Sequence, residues 1–179
     1  VKDDHTESVF ANVVPSKGAN EFAVNQIVED IDSTGHTSIL FKTDNEPSMV
    51  AIQNSVKQKR SHKAVLENSV RKVSQTNGFI ENANTYVAGV IRTLRSFANT
   101  MLGAVLDSNH RVMTWLVKHA GNLINMFHVG KDGRTAYFRR TGKNAKPILV
   151  PLFKKILYKP LGKNLYKCEE RFQDGIFLG

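Results

Sequence analysis

Cysteine is nearly absent from this sequence, since Cys168 is the only one among 179 residues. A single cysteine excludes an internal disulfide framework and a zinc site built from several cysteines. No apolar run approaches the roughly 20 residues that a membrane-spanning helix requires, and the first residues lack the pattern of a signal peptide. We therefore expect an intracellular protein that does not enter a membrane.

Basic residues are scarce at the start of the chain and abundant afterwards. Residues 1–55 contain three Lys or Arg and nine Asp or Glu, whereas residues 56–179 contain 22 basic and seven acidic residues. A strongly basic region beside a group of acids favours a polyanionic partner held near carboxylates. Charge alone does not separate this interpretation from that of an ordinary basic protein.

Hydrophobic periodicity predicts strands and helices that alternate through most of the chain. The predicted strands cover residues 8–15, 36–44 and 64–68, and the second has the continuous apolar centre of a buried strand. The predicted amphipathic helices run from the N-cap Asn20 to Gly35, then over residues 46–60, 78–102 and 109–127. Trp115 falls on the apolar face of the last helix and is expected in the core. This alternation indicates an α/β fold.

Composition divides the chain into three predicted regions. Residues 1–129 contain the alternating strands and helices. Residues 130–146 are rich in Lys, Arg and Gly and are interpreted as a basic linker. Residues 147–179 contain short apolar runs separated by Gly and Pro, which predict a small β-rich C-terminal module.

Two carboxylates stand where α/β proteins often carry functional groups. Asp44 follows a strand, and functional groups gather at the carboxyl ends of strands in open sheets. Glu81 lies in the first turn of a helix, just after the turn dipeptide Asn77-Gly78. If the two acids converge, a divalent cation would neutralise them, and oxygen ligands suit Mg²⁺ or Mn²⁺. Taken singly, Asp44 is explained as an N-cap and Glu81 by the helix dipole.

Basic residues on both sides of these acids are candidates for contacts with nucleic-acid phosphates. The candidates are Lys57, Lys59, Arg60, Lys63, Arg71, Lys72, Arg92 and Arg95. For Arg92 and Arg95 a solvated helix face is an equally good explanation.

The spacing and flanks of the two acids resemble those of retroviral and long-terminal-repeat retrotransposon integrases. Asp44 and Glu81 are separated by 36 residues, which is similar to the family's D-x-about-35-E spacing. "FKTDNEPS" is similar to the strand-Asp-Asn motif, and "SQTNGFIE" resembles "PQ-x-N-G-x-x-E" with Ser74 in place of proline. Further segments that resemble the family are "VKDDHTESVFANVVP", "WLVKHAGNLIN", "GRTAYFRRTGK" and "RFQDGIFLG".

The resemblance implies a ribonuclease-H-like mixed sheet flanked by helices, and a divalent-metal-dependent polynucleotidyl transfer that inserts element DNA into a target. It implies that Asp44 and Glu81 are the second and third catalytic acids and bind Mg²⁺ or Mn²⁺. Gln75, Asn77 and Gly78 would shape the loop that presents Glu81, and Gln75 and Asn77 would also contact nucleic acid. The implied partners are element ends, target DNA and further copies of the chain in a homo-oligomer, with action in the nucleus.

The first catalytic Asp of the family has no counterpart here, because its strand would precede Val1. Residues 1–129 are therefore expected to be a catalytic core without its first strand, and the chain alone is expected to be inactive. One alternative is a non-enzymatic nucleic-acid-binding remnant of a decayed or domesticated element. Another is a different ribonuclease-H-like nuclease or transposase.

Overall fold

The computed structural model describes residues 1–68, 78–148, 150–161 and 168–179. Their secondary structure is mixed α/β, which confirms the α/β part of the predicted fold class. The elements in chain order are α1 (Glu21–Asp32), β1 (Ser38–Thr43), α2 (Pro47–Lys59), β2 (Lys63–Asn68), α3 (Gly78–Leu102), α4 (Val112–Phe127), α5 (Ala136–Thr141), β3 (Lys155–Tyr158) and β4 (Gln173–Ile176). Among these helices, none has both the length and the apolar content needed to cross a membrane.

The amino-terminal segment forms a hairpin and not the strand predicted over residues 8–15. One antiparallel bridge pairs Lys2 with Val9, and the Asp3 amide donates to the Ser8 carbonyl at 2.9 Å. The Thr6 hydroxyl donates to the Asp3 carboxylate at 2.5 Å inside the turn. This polar turn reverses the chain, so the apolar residues pair locally. We call residues 1–10 the amino-terminal hairpin.

Residues 20–68 fold as predicted into a helix, a strand, a second helix and a second strand. The Asn20 side chain caps α1 by accepting from the Ala23 amide at 2.8 Å, and Gly35 follows the helix with a φ of +80°. β1 and β2 pair in parallel, from Ser38 opposite Lys63 to Thr43 opposite Asn68. Parallel neighbours need a crossover connection, which α2 provides.

The parallel sheet is packed on one face only, which corrects the expectation that β1 is fully buried. Ile39 and Phe41 pack against a core of α1 and α2 side chains. On the opposite face Leu40 is 61% exposed and its register partner Val65 is 46% exposed. Within the described residues β1 and β2 pair only with each other. The larger ribonuclease-H-like sheet therefore stays a prediction.

The C-terminal region shares a hydrophobic core with α3 and α4. Leu152 and Phe153 are buried together with Ala98, Leu106 and Leu116. β3 and β4 form an antiparallel pair. The domain boundaries stay predictions, but the packing ties residues 152 and 153 firmly to the helices.

Trp115 lies at the edge of this core and not inside it. Its side chain is 38% exposed, and the indole N–H donates to the carbonyl of Leu178 at 2.6 Å. His119, one turn further along α4, stacks on the indole with ring centres 6.3 Å apart. The tryptophan uses its polar edge to hold the last residues of the chain, which hydrophobic periodicity does not predict.

Candidate metal and nucleic-acid-binding site

The carboxylate of Asp44 lies at the carboxyl end of the parallel sheet. β1 ends at Thr43, and Asp44 follows it on an exposed stretch before Pro47 opens α2. The N-cap of α2 is Glu46, so capping of this helix does not explain the aspartate. An exposed acid directly after a parallel strand occupies the position where α/β proteins place functional groups.

A buried glutamine on α2 fixes the strand ends that lead to Asp44. The side-chain amide of Gln53 donates to the carbonyl of Phe41 at 2.9 Å and to that of Glu67 at 2.8 Å. One side chain therefore ties both strands to α2. Sequence analysis missed Gln53, because its acceptors lie on two strands that the structure brings to α2.

Glu81 is exposed in the first turn of α3, which confirms its predicted position in the helix. Ala83 packs with Val9 in a buried cluster beneath this turn. The ammonium group of Lys2 lies 3.5 Å from the centre of the Phe79 ring. The amino-terminal hairpin therefore holds the end of α3 that presents Glu81, and the helix dipole favours a negative charge there.

The two acids offer the oxygen ligands that Mg²⁺ and Mn²⁺ prefer. Proteins commonly bind Mg²⁺ through one or two carboxylates together with water and substrate phosphates, so Asp44 and Glu81 fit such an ion chemically. Across the described ranges, no group of three or more His, Cys, Asp or Glu side chains is arranged to hold a metal ion. The catalytic and metal-binding roles of both acids stay predictions.

The junction of α2 and β2 presents three of the predicted phosphate-binding residues to solvent: Lys57, Lys59 and Lys63. Arg60 lies among them but is buried, with 0% of its side chain exposed. Its guanidinium donates to the Asp32 carboxylate at 2.7 Å and to the carbonyls of His36 and Lys63. Because Arg60 is committed to these protein acceptors, we remove it from the candidate DNA contacts.

The two predicted arginines on α3 differ in their surroundings. Arg92 is exposed, whereas Arg95 is half-buried and donates from Nε at 3.1 Å and from Nη2 at 2.7 Å to the carbonyl of Leu106. Arg95 therefore fixes the loop after α3. The remaining candidates lie outside the described residues: Arg71, Lys72, Gln75 and Asn77.

Asp3 joins the amino-terminal hairpin to the turn before β1. Its carboxylate accepts from the backbone and hydroxyl of Thr6, and His36 Nε2 lies 3.1 Å from the same oxygen. Burial opposes ionisation of Asp3, but the bonds from Thr6 and His36 together lower its pKa below the ordinary value of 3.8. The ionised carboxylate is thus a structural group in this fold.

Asn125 on α4 takes the place of a neighbouring strand beside Val9. Its side-chain oxygen accepts from the Val9 amide at 2.7 Å, and its side-chain nitrogen donates to the Val9 carbonyl at 2.8 Å. Gly121 allows this approach, because a Cβ atom there would lie 3.2 Å from the Val9 carbonyl oxygen. A buried backbone needs such partners, and an asparagine side chain supplies both.

Arg139 on α5 binds two carboxylates, one of Glu7 in the amino-terminal hairpin and one of Asp132 in the turn before α5. Its Nη1 donates to Glu7 Oε2 at 2.5 Å, while Nη2 and Nε donate to the two carboxylate oxygens of Asp132 at 2.5 and 3.1 Å. The bond from Arg139 lowers the pKa of Asp132 to about 2. The same partners raise the pKa of Arg139 further above its usual range. The segment predicted as a basic linker therefore contains a helix that is anchored to the rest of the fold.

Comparison with known proteins relates the chain to others through its fold alone. No protein-family model and no curated protein sequence matches it. It is similar to a chain in the cryo-EM structure of the simian T-cell lymphotropic virus intasome in complex with PP2A regulatory subunit B56 gamma, with a TM-score of 0.55 and 18% sequence identity. The match covers 98% of this chain and 59% of the intasome-structure chain.

This similarity shows that the chain shares its fold with a chain of a retroviral intasome structure, which agrees in part with the resemblance noted in the sequence. The chain spans somewhat more than half the length of the chain that it matches. Chemical activity does not follow from a similarity of fold.

Proposed function

We propose that this chain is part of the catalytic core of a retroviral or long-terminal-repeat retrotransposon type of integrase, with a ribonuclease-H-like fold. Such an enzyme inserts element DNA into target DNA by a polynucleotidyl transfer that depends on Mg²⁺ or Mn²⁺. The placement of Asp44 directly after a parallel strand, in a chain with an integrase-like fold, carries this proposal. Glu81, exposed in the first turn of α3, supports it.

In the proposed site Asp44 and Glu81 hold a divalent cation through their carboxylate oxygens. When bound, this cation stabilises the charge that develops on the oxygens of the phosphodiester under attack. The contribution of the protein is to position the acids. Gln53 fixes the strand end before Asp44, and the amino-terminal hairpin fixes the start of α3.

The DNA partner would contact exposed basic side chains near these acids. The proposed phosphate contacts of the described residues are Lys57, Lys59, Lys63 and Arg92. Phosphate contacts of this kind carry no base sequence information and weaken as salt rises. In the complete enzyme the partners would be element ends, target DNA and further copies of the chain, and the reaction would take place in the nucleus.

A titration with Mn²⁺ tests the metal site directly on this chain. Asp44→Asn and Glu81→Gln each remove one negative charge, so each should weaken Mn²⁺ binding by about tenfold or more. Glu21→Gln is the matched control, because Glu21 is also an exposed acid in the first turn of a helix. Calorimetry should show no change in Mn²⁺ affinity for this control. Equal Mn²⁺ affinities for all four proteins would refute the proposed site.

Strand transfer tests the reaction itself. The chain, extended at its amino end by a strand that carries an Asp, should join labelled element-end DNA to a target plasmid when Mg²⁺ or Mn²⁺ is present. Glu81→Gln should abolish this product while DNA binding is kept. If the variant and the parent give the same product, Glu81 is not catalytic.

A non-enzymatic nucleic-acid-binding protein is the second candidate. It is favoured by Ser74, which stands where the motif that the chain resembles has a proline. This candidate predicts DNA binding without a site for Mn²⁺. The titration above therefore separates it from the enzyme.

A further inference from the structure

The segment around α5 carries a second concentration of positive charge, apart from that at the junction of α2 and β2. Besides Arg139, the sequence from residue 128 to residue 148 has six basic side chains, one of which is His128. The same stretch has a single acid, Asp132. We use the term α5 surface for five of the six: Lys131, Arg134, Arg140, Lys143 and Lys146.

The acids near the α5 surface are already paired with another residue. Asp132 and Glu7 both bind the guanidinium of Arg139. The low pKa of Asp132, about 2, reflects this bond. Within the described part of the chain, no salt bridge is formed by any of the five bases of the α5 surface. Their charges are therefore available to an external anion.

Two of these bases are held in place by aromatic rings. The guanidinium carbon of Arg134 lies 5.4 Å from the centre of the Phe138 ring, and that of Arg140 lies 5.7 Å from the centre of the Phe10 ring. A guanidinium stacked in this way keeps N–H groups available at its edge for a phosphate. Ordering these side chains in advance reduces the conformational entropy that binding would cost.

The backbone keeps the bases close together. Lys131 and Arg134 lie on a turn closed by the bridge between Val129 and Thr135, and Thr135 then caps α5. A helix of six residues is only about 9 Å long. The turn before α5 and the lysines after it therefore lie within reach of one stretch of duplex, which carries a charge about every 1.7 Å along its axis.

We propose that the α5 surface is a second binding surface for the phosphate backbone of duplex DNA. The identity of the polyanion rests on the proposed function, in which DNA is the substrate. The surface would hold DNA through charge alone, independently of the divalent cation. Its contribution is therefore expected in the salt dependence of binding and not in sequence preference.

The test compares two variants that lose the same charge. The first replaces Lys131, Arg134, Lys143 and Lys146 with Gln, and the control replaces Arg111, Lys154, Lys159 and Arg171 with Gln. All eight side chains are exposed. Fluorescence anisotropy with a labelled duplex, measured without divalent metal at several salt concentrations, gives the slope of log affinity against log salt. Circular dichroism confirms that both variants remain folded.

Each phosphate contact removed lowers this slope by about one unit, so the first variant should lose about four units if all four bases bind. The control variant should lose less than about one unit. Equal slopes for the two variants would overturn the proposal, because only the overall charge would then matter. Binding to polyglutamate, an acidic polypeptide, is measured in the same way. If the first variant keeps its DNA binding but loses its binding to polyglutamate, the proposal is overturned and the surface binds an acidic protein.

The same proteins separate this proposal from the proposed function. The first variant should keep the Mn²⁺ affinity of the parent, whereas Asp44→Asn should keep its salt slope. If the proposed metal site is wrong, the salt slope still tests the α5 surface. If the proposed α5 surface is wrong, the Mn²⁺ titration still tests the metal site.

Discussion

Replacing Gln53 with Leu should destabilise the protein by removing the side chain that joins both strands of the parallel sheet to α2. Gln53 is 1% exposed, and its amide donates one N–H to Phe41 and the other to Glu67. Leucine fills a similar volume but donates nothing. The change therefore tests the two hydrogen bonds more than the packing.

The expected cost follows from these two contacts. A buried acceptor left without its donor costs about 1–3 kcal/mol. With two carbonyls affected and burial of an apolar side chain partly offsetting the loss, we expect a decrease of about 2–4 kcal/mol in the free energy of unfolding. For a chain of this size, each kcal/mol lowers Tm by about 2–4 °C.

Urea unfolding followed by circular dichroism measures the difference directly. Gln58→Leu is the matched control, since Gln58 lies on the exposed side of the same helix. That substitution should change stability by no more than about 0.5 kcal/mol. If Gln53→Leu and Gln58→Leu have equal effects, Gln53 does not hold the strand ends, and our account of how Asp44 is positioned fails.

Two further predictions concern the amino-terminal hairpin. Asn125→Leu should lower the free energy of unfolding by about 2–4 kcal/mol, because it leaves the Val9 amide and carbonyl without partners. Urea unfolding measures this change, and Asn122→Leu, at an exposed position on the same helix, should have little effect. If the two substitutions lower the free energy of unfolding equally, Asn125 does not have this role. Asp3→Asn should destabilise the protein at neutral pH, where the parent carboxylate is ionised. The folded-state pKa of Asp3 is depressed, so its contribution is present above the ordinary value of 3.8 and disappears as pH falls through the lower folded value. The Tm values of the parent and of Asp3→Asn, measured in thermal melts, should therefore approach each other in acid. A difference in Tm that stays constant across pH would contradict this reasoning.

The sequence predicted the elements whose hydrophobic pattern is strong. α1, β1, α2, β2, α3 and α4 all lie where periodicity placed them, because each has one packed apolar face. The same reasoning placed Asp44 after a strand and Glu81 at the start of a helix, and the structure confirms both placements. Local pattern is sufficient for these statements because it depends on neighbours in the chain.

The contacts that position the site were not predictable in this way. Gln53, Asn125 and Arg139 are polar side chains whose partners are distant in sequence, so no local pattern identifies them. The helix α5 was missed because its six residues are too short to show a period, and its basic composition indicated a linker. The strand predicted over residues 8–15 failed because the preceding polar turn pairs Val9 with Lys2.

The amino-terminal hairpin brings these long-range contacts together. Lys2 contacts Phe79 beside Glu81, Asp3 contacts His36 before β1, and Glu7 contacts Arg139 in α5. The hairpin therefore lies between the helix that presents the catalytic candidate Glu81 and the helix at the centre of the α5 surface. Most of these contacts are ionic or polar, so a substitution in the hairpin should disturb both regions together, whereas a substitution at Gln53 should act mainly at Asp44.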